Sequence, residues 1–236
     1  MKPIELSLIL TLYNEGPTLP ASLGRIYNLL NQSGLVYEII IIDDRGQDES
    51  CALAQDFCLK QDNCQLYQNA VNLGRGGAVS RGMRMAKGRV VGFIDTDLEL
   101  SPERIPEAAR MILKGEVDVV TGKRNYTFGP ASHLRWILTK GYHELVRLIL
   151  NLPLKDTETG FKFFNREKIQ PVLEKVQDKR WFWDTEIMAR SFNAGLKIKE
   201  IEVLYKRKMD KKTSVRFFRD SLAYLGKLVR FKFKKK

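Results

Sequence analysis

The 236-residue chain has only three cysteines, Cys51, Cys58 and Cys64, and no C-x-x-C pair among them. That spacing excludes a common zinc-finger site and predicts reduced thiols rather than a disulfide frame. No uncharged apolar run approaches the ~18 residues of a membrane span, so a soluble or peripheral protein is expected. The opening stretch MKPIELSLILTLYNEG lacks a small-residue cleavage pattern and reads as a first strand, not a signal peptide. The two histidines, His133 and His143, read as structural or surface residues rather than a catalytic relay. Negative charge is scarce at one end. Residues 205–236 hold thirteen Lys/Arg against two Asp, so they carry +11 of the net +12 and residues 1–204 only about +1. A nucleic-acid-binding core is thereby unsupported, and no nucleic-acid partner is expected.

What is present is an alternation. Apolar runs at Leu6–Tyr13, Val36–Asp43, Cys64–Ala70, Arg89–Thr96, Val117–Lys123 and Leu196–Lys206 predict strands. Most are continuous in apolar residues, as expected for strands covered on both faces of a parallel sheet. Helical spacing fills Thr18–Gln32, Asp48–Lys60, Gly76–Ala86 and Ser101–Leu113, the last with Ser101 as N-cap and Pro102 at the first helical position. A longer helical stretch is expected over about 131–151. This order predicts an α/β fold, one domain with a mostly parallel central sheet flanked by helices. The expected division is residues 1–213 for the domain, split near 124, and 214–236 for a tail.

FIDTDLELSP, from Phe93 to Pro102, ends the fourth strand in three carboxylates, Asp95, Asp97 and Glu99. If the strand runs to Thr96, side-chain alternation turns Asp95 and Asp97 to one side. Hard oxygens at the C-terminal end of such a strand suit Mg2+ or Mn2+. Asp-x-Asp alone is equally a solvated turn or a cap cluster, so context must decide. LYNEG (Leu12–Gly16), IDDRGQD (Ile42–Asp48) and NLGRGGA (Asn72–Ala78) supply polar, turn-forming residues at three more strand ends. In a parallel sheet these ends share one edge. Gly74, Gly76 and Gly77 would allow close backbone approach to a ligand and open a helix. The stretch is not a P-loop, because no Gly-Lys-[Ser/Thr] follows, and it lacks the Rossmann glycine pattern.

In order and spacing, LYNEG, IDDRGQD, NLGRGGAVSRG and FIDTDLELSP resemble family 2 glycosyltransferases of GT-A fold. The resemblance is strongest to dolichyl- or polyprenyl-phosphate sugar synthases and extends through VDVVTGKR, DTETGFKFF and WFWDTEI, over roughly residues 5–215. It implies that Tyr13, Glu15, Asp43 and Asp44 line a base and ribose pocket. Asn72, Gly74 and Arg75 would flank the nucleotide, with Asp95 and Thr96 near ribose and phosphate. Asp97 and Glu99 would hold the metal on the donor's pyrophosphate, with Asp95 acting through water. Arg124, Arg135 and Arg207 would meet the acceptor phosphate and donor diphosphate. Asp156, Thr159, Gly160 and Lys162 would border the sugar pocket. The implied reaction is inverting transfer from a GDP- or UDP-sugar to a polyprenyl phosphate at the cytoplasmic face of a membrane. Thr11, where relatives often have Pro, and Arg45-Gly46, where they often have Gly-Ser, depart from the pattern and leave the base open.

A phosphate acceptor is already ionised, whereas a hydroxyl acceptor on a glycan would need a general base. Asp184 or Glu186 in WDTE would be that base; Asp184 is equally read as a helix N-cap. A nucleotide-binding, membrane-docking protein without turnover is the reading from another class. The tail has a helical pattern. Arg216, Arg219, Asp220, Lys227 and Arg230 share one sector, and Phe218, Leu222, Leu225 and Val229 form the opposite stripe, widened by Phe217, Leu228 and Phe231. Such a basic amphipathic helix either lies on an anionic membrane surface or packs on the catalytic body.

Overall fold

The computed structural model describes residues 2–126, 144, 146–206 and 217–233, with residues 126, 217–223 and 225 described by their backbone alone. Seven strands form one sheet: β1 (Leu6–Leu12), β2 (Tyr37–Asp43), β3 (Cys64–Gln68), β4 (Val90–Ile94), β5 (Val119–Tyr126), β6 (Phe161–Asn165) and β7 (Ile198–Tyr205). Their order is β3-β2-β1-β4-β6-β5-β7. β6 runs antiparallel to β4 and β5, and every other pairing is parallel.

Both faces are covered. Leu8, Leu10 and Leu12 of β1 join one core with helices α1 (Leu19–Gln32), α2 (Ser50–Cys58) and α4 (Ile105–Leu113). Ile9 of β1 and Ile40 and Ile42 of β2 face the other core, with α3 (Arg75–Met85), α5 (Arg166–Leu173) and α6 (Trp183–Asn193). Alternate residues therefore enter different cores, which is why these strands are apolar throughout. A seventh helix, α7 (Phe217–Phe233), buries Tyr224 and Leu228 against Phe182, Ala189 and the helical segment 146–150. Among the described residues, no helix is long and apolar enough to cross a membrane.

Several expectations are corrected. β6 was not foreseen; its FKFFN run is too short to be told from a buried helical turn. Ser101 makes no side-chain cap bond: a 3-10 turn, Pro102–Arg104, precedes α4 and displaces it from the helix start. β4 ends at Ile94, and Leu98 takes a left-handed conformation with φ 51°, so strand alternation does not govern Asp95 and Asp97. Cys58 and Cys64 are joined as a disulfide rather than left reduced, because the turn from α2 into β3 brings their Cα atoms to 4.9 Å. Cys51 alone is free. Most of the helical stretch expected over about 131–151, with His133 and His143, lies outside the described residues.

Candidate active site at the C-terminal edge of the sheet

β1 to β5 and β7 all run in one direction, so their C-terminal ends share an edge with the start of the antiparallel β6. The described site residues singled out from the sequence belong to this edge or to α6 beside it. After β1, Tyr13 is 52% exposed, and the chain bends at Asn14 with φ 58°. The backbone N–H of Glu15 donates to Ser50 Oγ at 2.8 Å, and that of Gly16 to Asp48 Oδ2 at 2.8 Å. The first two loops are thus tied together.

Asp43 and Asp44 are buried. Asp43 accepts from Gln68 Nε2 at 2.8 Å. Asp44 accepts from Asn69 Nδ2 at 2.6 Å and from the N–H groups of Leu73 and Gly74 at 2.7 and 2.8 Å. Asn72 itself donates to the Asp44 carbonyl at 3.0 Å. Asp44 therefore holds the Asn72–Gly74 loop in shape. The glycines of that loop admit protein rather than ligand. A Cβ on Gly76 would lie 2.3 Å from Trp183 Cβ, so α3 and α6 pack only because position 76 has no side chain.

The centre is a four-charge cluster. Arg75 donates through Nε and Nη2 to Asp95 Oδ1, at 3.0 and 2.7 Å, and through Nη1 to Asp184 Oδ2. The other Asp184 oxygen accepts from Lys162 Nζ at 2.8 Å. Lys162 and Asp184 are buried, while the Asp95 side chain keeps 36% of its surface. The Arg75 guanidinium stands over the rings of Phe93 and Trp181, at 5.3 and 5.9 Å. Burial works against the Arg75 charge, but Asp184 and Asp95 outweigh it and hold its pKa above the ordinary value. Burial pushes the Asp95 carboxyl upward against the pull of Arg75, and the neighbouring Asp97 adds to the rise. Burial likewise lowers the Lys162 ammonium, with Asp184 opposing. The cluster's two acids and two bases leave it formally neutral.

Beside it, Gly160 is required. Its carbonyl accepts from Asp95 N at 3.1 Å, and a Cβ there would sit 1.7 Å from Asp95 Oδ2. Thr96 is buried and donates to the Thr11 carbonyl at 3.2 Å. Arg124 of β5 makes a bidentate pair with Asp156, at 2.7 and 3.0 Å. Thr159 is buried, and its carbonyl accepts from Lys162 Nζ. Arg135 and Arg207 lie outside the described residues.

Two expected roles find no support in this arrangement. Among the described residues no three acidic, histidine or cysteine side chains converge as a metal site. Asp95 turns to Arg75, whereas Glu99 Oε2 accepts from Tyr205 at the end of β7 at 2.9 Å. The left-handed Leu98 stands between them in the chain. Glu186 does not face the cleft. Its oxygens accept from the N–H groups of Gln177 and Asp178, at 3.1 and 2.8 Å, and from Arg190. It lines a separate cavity of about 450 Å³ between α6 and α7. The sequence reading missed Trp181 and Tyr205 as site residues; the aromatic run WFW before Asp184 was the available signal for Trp181.

Residues 7–173 match the family described as Glycosyl transferase family 2. The chain belongs to that family. Among family 2 relatives, glycosyltransferase AglD of Haloferax volcanii is 32% identical over 231 residues, covering 96% of this chain and 37% of that protein. A dolichyl-phosphate beta-glucosyltransferase of Dictyostelium discoideum is 32% identical over 215 residues, covering 85% of this chain and 66% of that protein. This chain thus spans less than two thirds of either relative. The UDP complex of glucosyl-3-phosphoglycerate synthase from Mycobacterium tuberculosis shares the fold, with a TM-score of 0.74 and 18% identity over 98% of this chain and 80% of that one. The same synthase is also solved with Mn2+, UDP and glucosyl-3-phosphoglycerate, at a TM-score of 0.66 and 17% identity. The GT-A architecture implied by the motifs is therefore the architecture of this family 2 chain.

Proposed function

We propose that this chain transfers a hexose, glucose from UDP-glucose in the first instance, to a polyprenyl phosphate at a membrane surface, with inversion. The relatives named for dolichyl-phosphate glucosyl transfer and the UDP-bound fold neighbours support UDP-glucose over GDP-mannose as donor. One observation carries the choice of acceptor. Both Asp184 oxygens are held by cations, Lys162 on one and Arg75 on the other. With Arg75 and Lys162 already bonded to its two oxygens, Asp184 is not aimed at an incoming hydroxyl, and with Glu186 turned away the site suits a nucleophile that arrives ionised. A lipid phosphate does. Its oxygen would attack the anomeric carbon, the bond to the diphosphate would break, and the electron pair would leave with the nucleotide.

Asp97 is the carboxylate suited to Mg2+ or Mn2+, with Asp95 acting through water. A Mg2+ ion usually takes only one or two protein carboxylates and fills its shell with water and phosphate, so the residues present fit without Glu99. The ion would stabilise charge on the leaving diphosphate. Arg124, fixed by Asp156, would present positive charge to the acceptor phosphate, together with Arg135 and Arg207. Residues 1–124 would serve the donor and 125–213 the acceptor, with the basic tail at the lipid.

The test is a panel of UDP-glucose, GDP-mannose and other nucleotide sugars, each with polyprenyl phosphate and Mn2+ or Mg2+. Lipid-linked glucose from UDP-glucose is expected, and Asp97→Ala should lower metal-dependent turnover at least about hundredfold. Transfer to a free glycan with no lipid-linked product would favour the hydroxyl-acceptor reading, and no turnover with any donor the non-catalytic one.

A further inference from the structure

Apolar packing would be enough to seat a tail helix, and Leu228 supplies it, fully buried against the body. Tyr224 does more. Its ring packs edge-on against Phe182 at 5.1 Å, and its hydroxyl bonds Thr185 Oγ1. Thr185 Oγ1 lies 2.7 Å from Thr157 Oγ1. All three residues are buried, with Thr185 at 0%, Thr157 at 5% and Tyr224 at 9% exposure. Three hydroxyls in a row are satisfied when their protons run one way along the chain, each donating to the next. Loss of the Tyr224 hydroxyl removes the partner that fixes the proton direction at Thr185 and leaves the Thr185–Thr157 bond free to reverse.

The two threonines of this chain adjoin charged residues of the site. Thr185 follows Asp184 in the first turn of α6, and Thr157 follows Asp156, which holds Arg124. We propose that Tyr224 is a positioning residue. By locking Thr185 to Thr157, the docked tail helix sets Asp184 and the Asp156–Arg124 pair relative to each other. Tyr224 acts through the two threonines and contacts no substrate. The proposal rests on the transferase reading above.

The test uses the full chain. Tyr224→Phe keeps the ring packing and removes one O–H. It should lower kcat about tenfold, roughly what one buried hydrogen bond is worth, with KM for the nucleotide sugar within about twofold and Tm within about 3 °C of the parent. Thr185→Val should match it, Thr185→Ser should restore most of the rate, and the double variant should be no slower than either single one. Parental kcat in Tyr224→Phe, or losses that multiply in the double variant, would overturn the proposal. A second readout does not depend on turnover. With 3-fluorotyrosine at position 224, the fluorine resonance should move on Thr157→Val, two hydroxyls away, and stay in place on Thr157→Ser. If the parent transfers no sugar from any donor, the transferase reading fails and this resonance decides: movement upholds the linkage, and none overturns it.

Discussion

At the scale of single residues, the site depends on compensation of charge. Asp184 has a side-chain exposure of only 3% and is tolerable as an anion because Arg75 and Lys162 bond its two oxygens. Removing one partner leaves an uncompensated buried charge, a larger loss than the net worth of the pair. Arg75→Ala should therefore destabilise the fold by about 3–5 kcal/mol, read as a fall of roughly 10 °C in Tm. Adding Asp184→Asn should recover part of that loss, because the stranded charge is gone; calorimetry on the two variants checks both statements. That acids gather at the strand ends was legible in the sequence. The pairing of each acid with a base was not, because Arg75 stands 20 residues from Asp95 and 109 from Asp184.

At the scale of elements, the parallel strands were legible as apolar runs bounded by turn residues, and the first four helices by their periodicity. β6 was not, since five residues of FKFFN have no period long enough to read. Its neighbourhood is joined by one carboxylate. Asp118, just before β5, accepts from Lys168 Nζ of α5 at 2.6 Å and from the N–H of Lys197 before β7 at 2.9 Å. Burial would raise this carboxyl, but the bonds from Lys168 and Lys197 outweigh it and hold it below 3.8. A depressed folded-state pKa contributes stability above the unfolded value, and that contribution is lost as pH falls through the folded value. Asp118→Asn should thus cost about 2 kcal/mol at neutral pH. The gap from the parent should close as pH falls below about 4 in urea unfolding series.

At the scale of the whole molecule, charge and packing divide the tail between two tasks. Tyr224 and Leu228 dock on the body, while Val229 is 41% and Phe233 75% exposed beside Arg230 and Lys232. The packed face includes Leu228 and Phe231, which widen the expected apolar stripe, while Val229 of that stripe is 41% exposed; the side chains of Phe218, Leu222 and Leu225 lie outside the description. An exposed basic and aromatic edge suits an anionic lipid surface. Sedimentation with anionic vesicles should show binding that weakens with salt. The triple variant Arg230→Ala, Lys232→Ala, Phe233→Ala should bind at least about tenfold more weakly, since each basic residue near such a surface contributes about 1 kcal/mol. Equal binding by that variant would leave the tail with its docking role alone.

The sequence by itself determined the sheet's parallel half, the family, the basic tail and the edge on which the polar residues gather. Each of these follows from a local pattern: continuous apolar runs, turn residues at their ends, a bias in charge. Only the tertiary structure decided that Glu186 faces another cavity, that Glu99 belongs to Tyr205, and that Asp184 lies between two cations. The Glu99 and Asp184 pairings join residues far apart along the chain, and they exist only where the sheet brings the ends of its strands and the N-terminus of α6 to one edge.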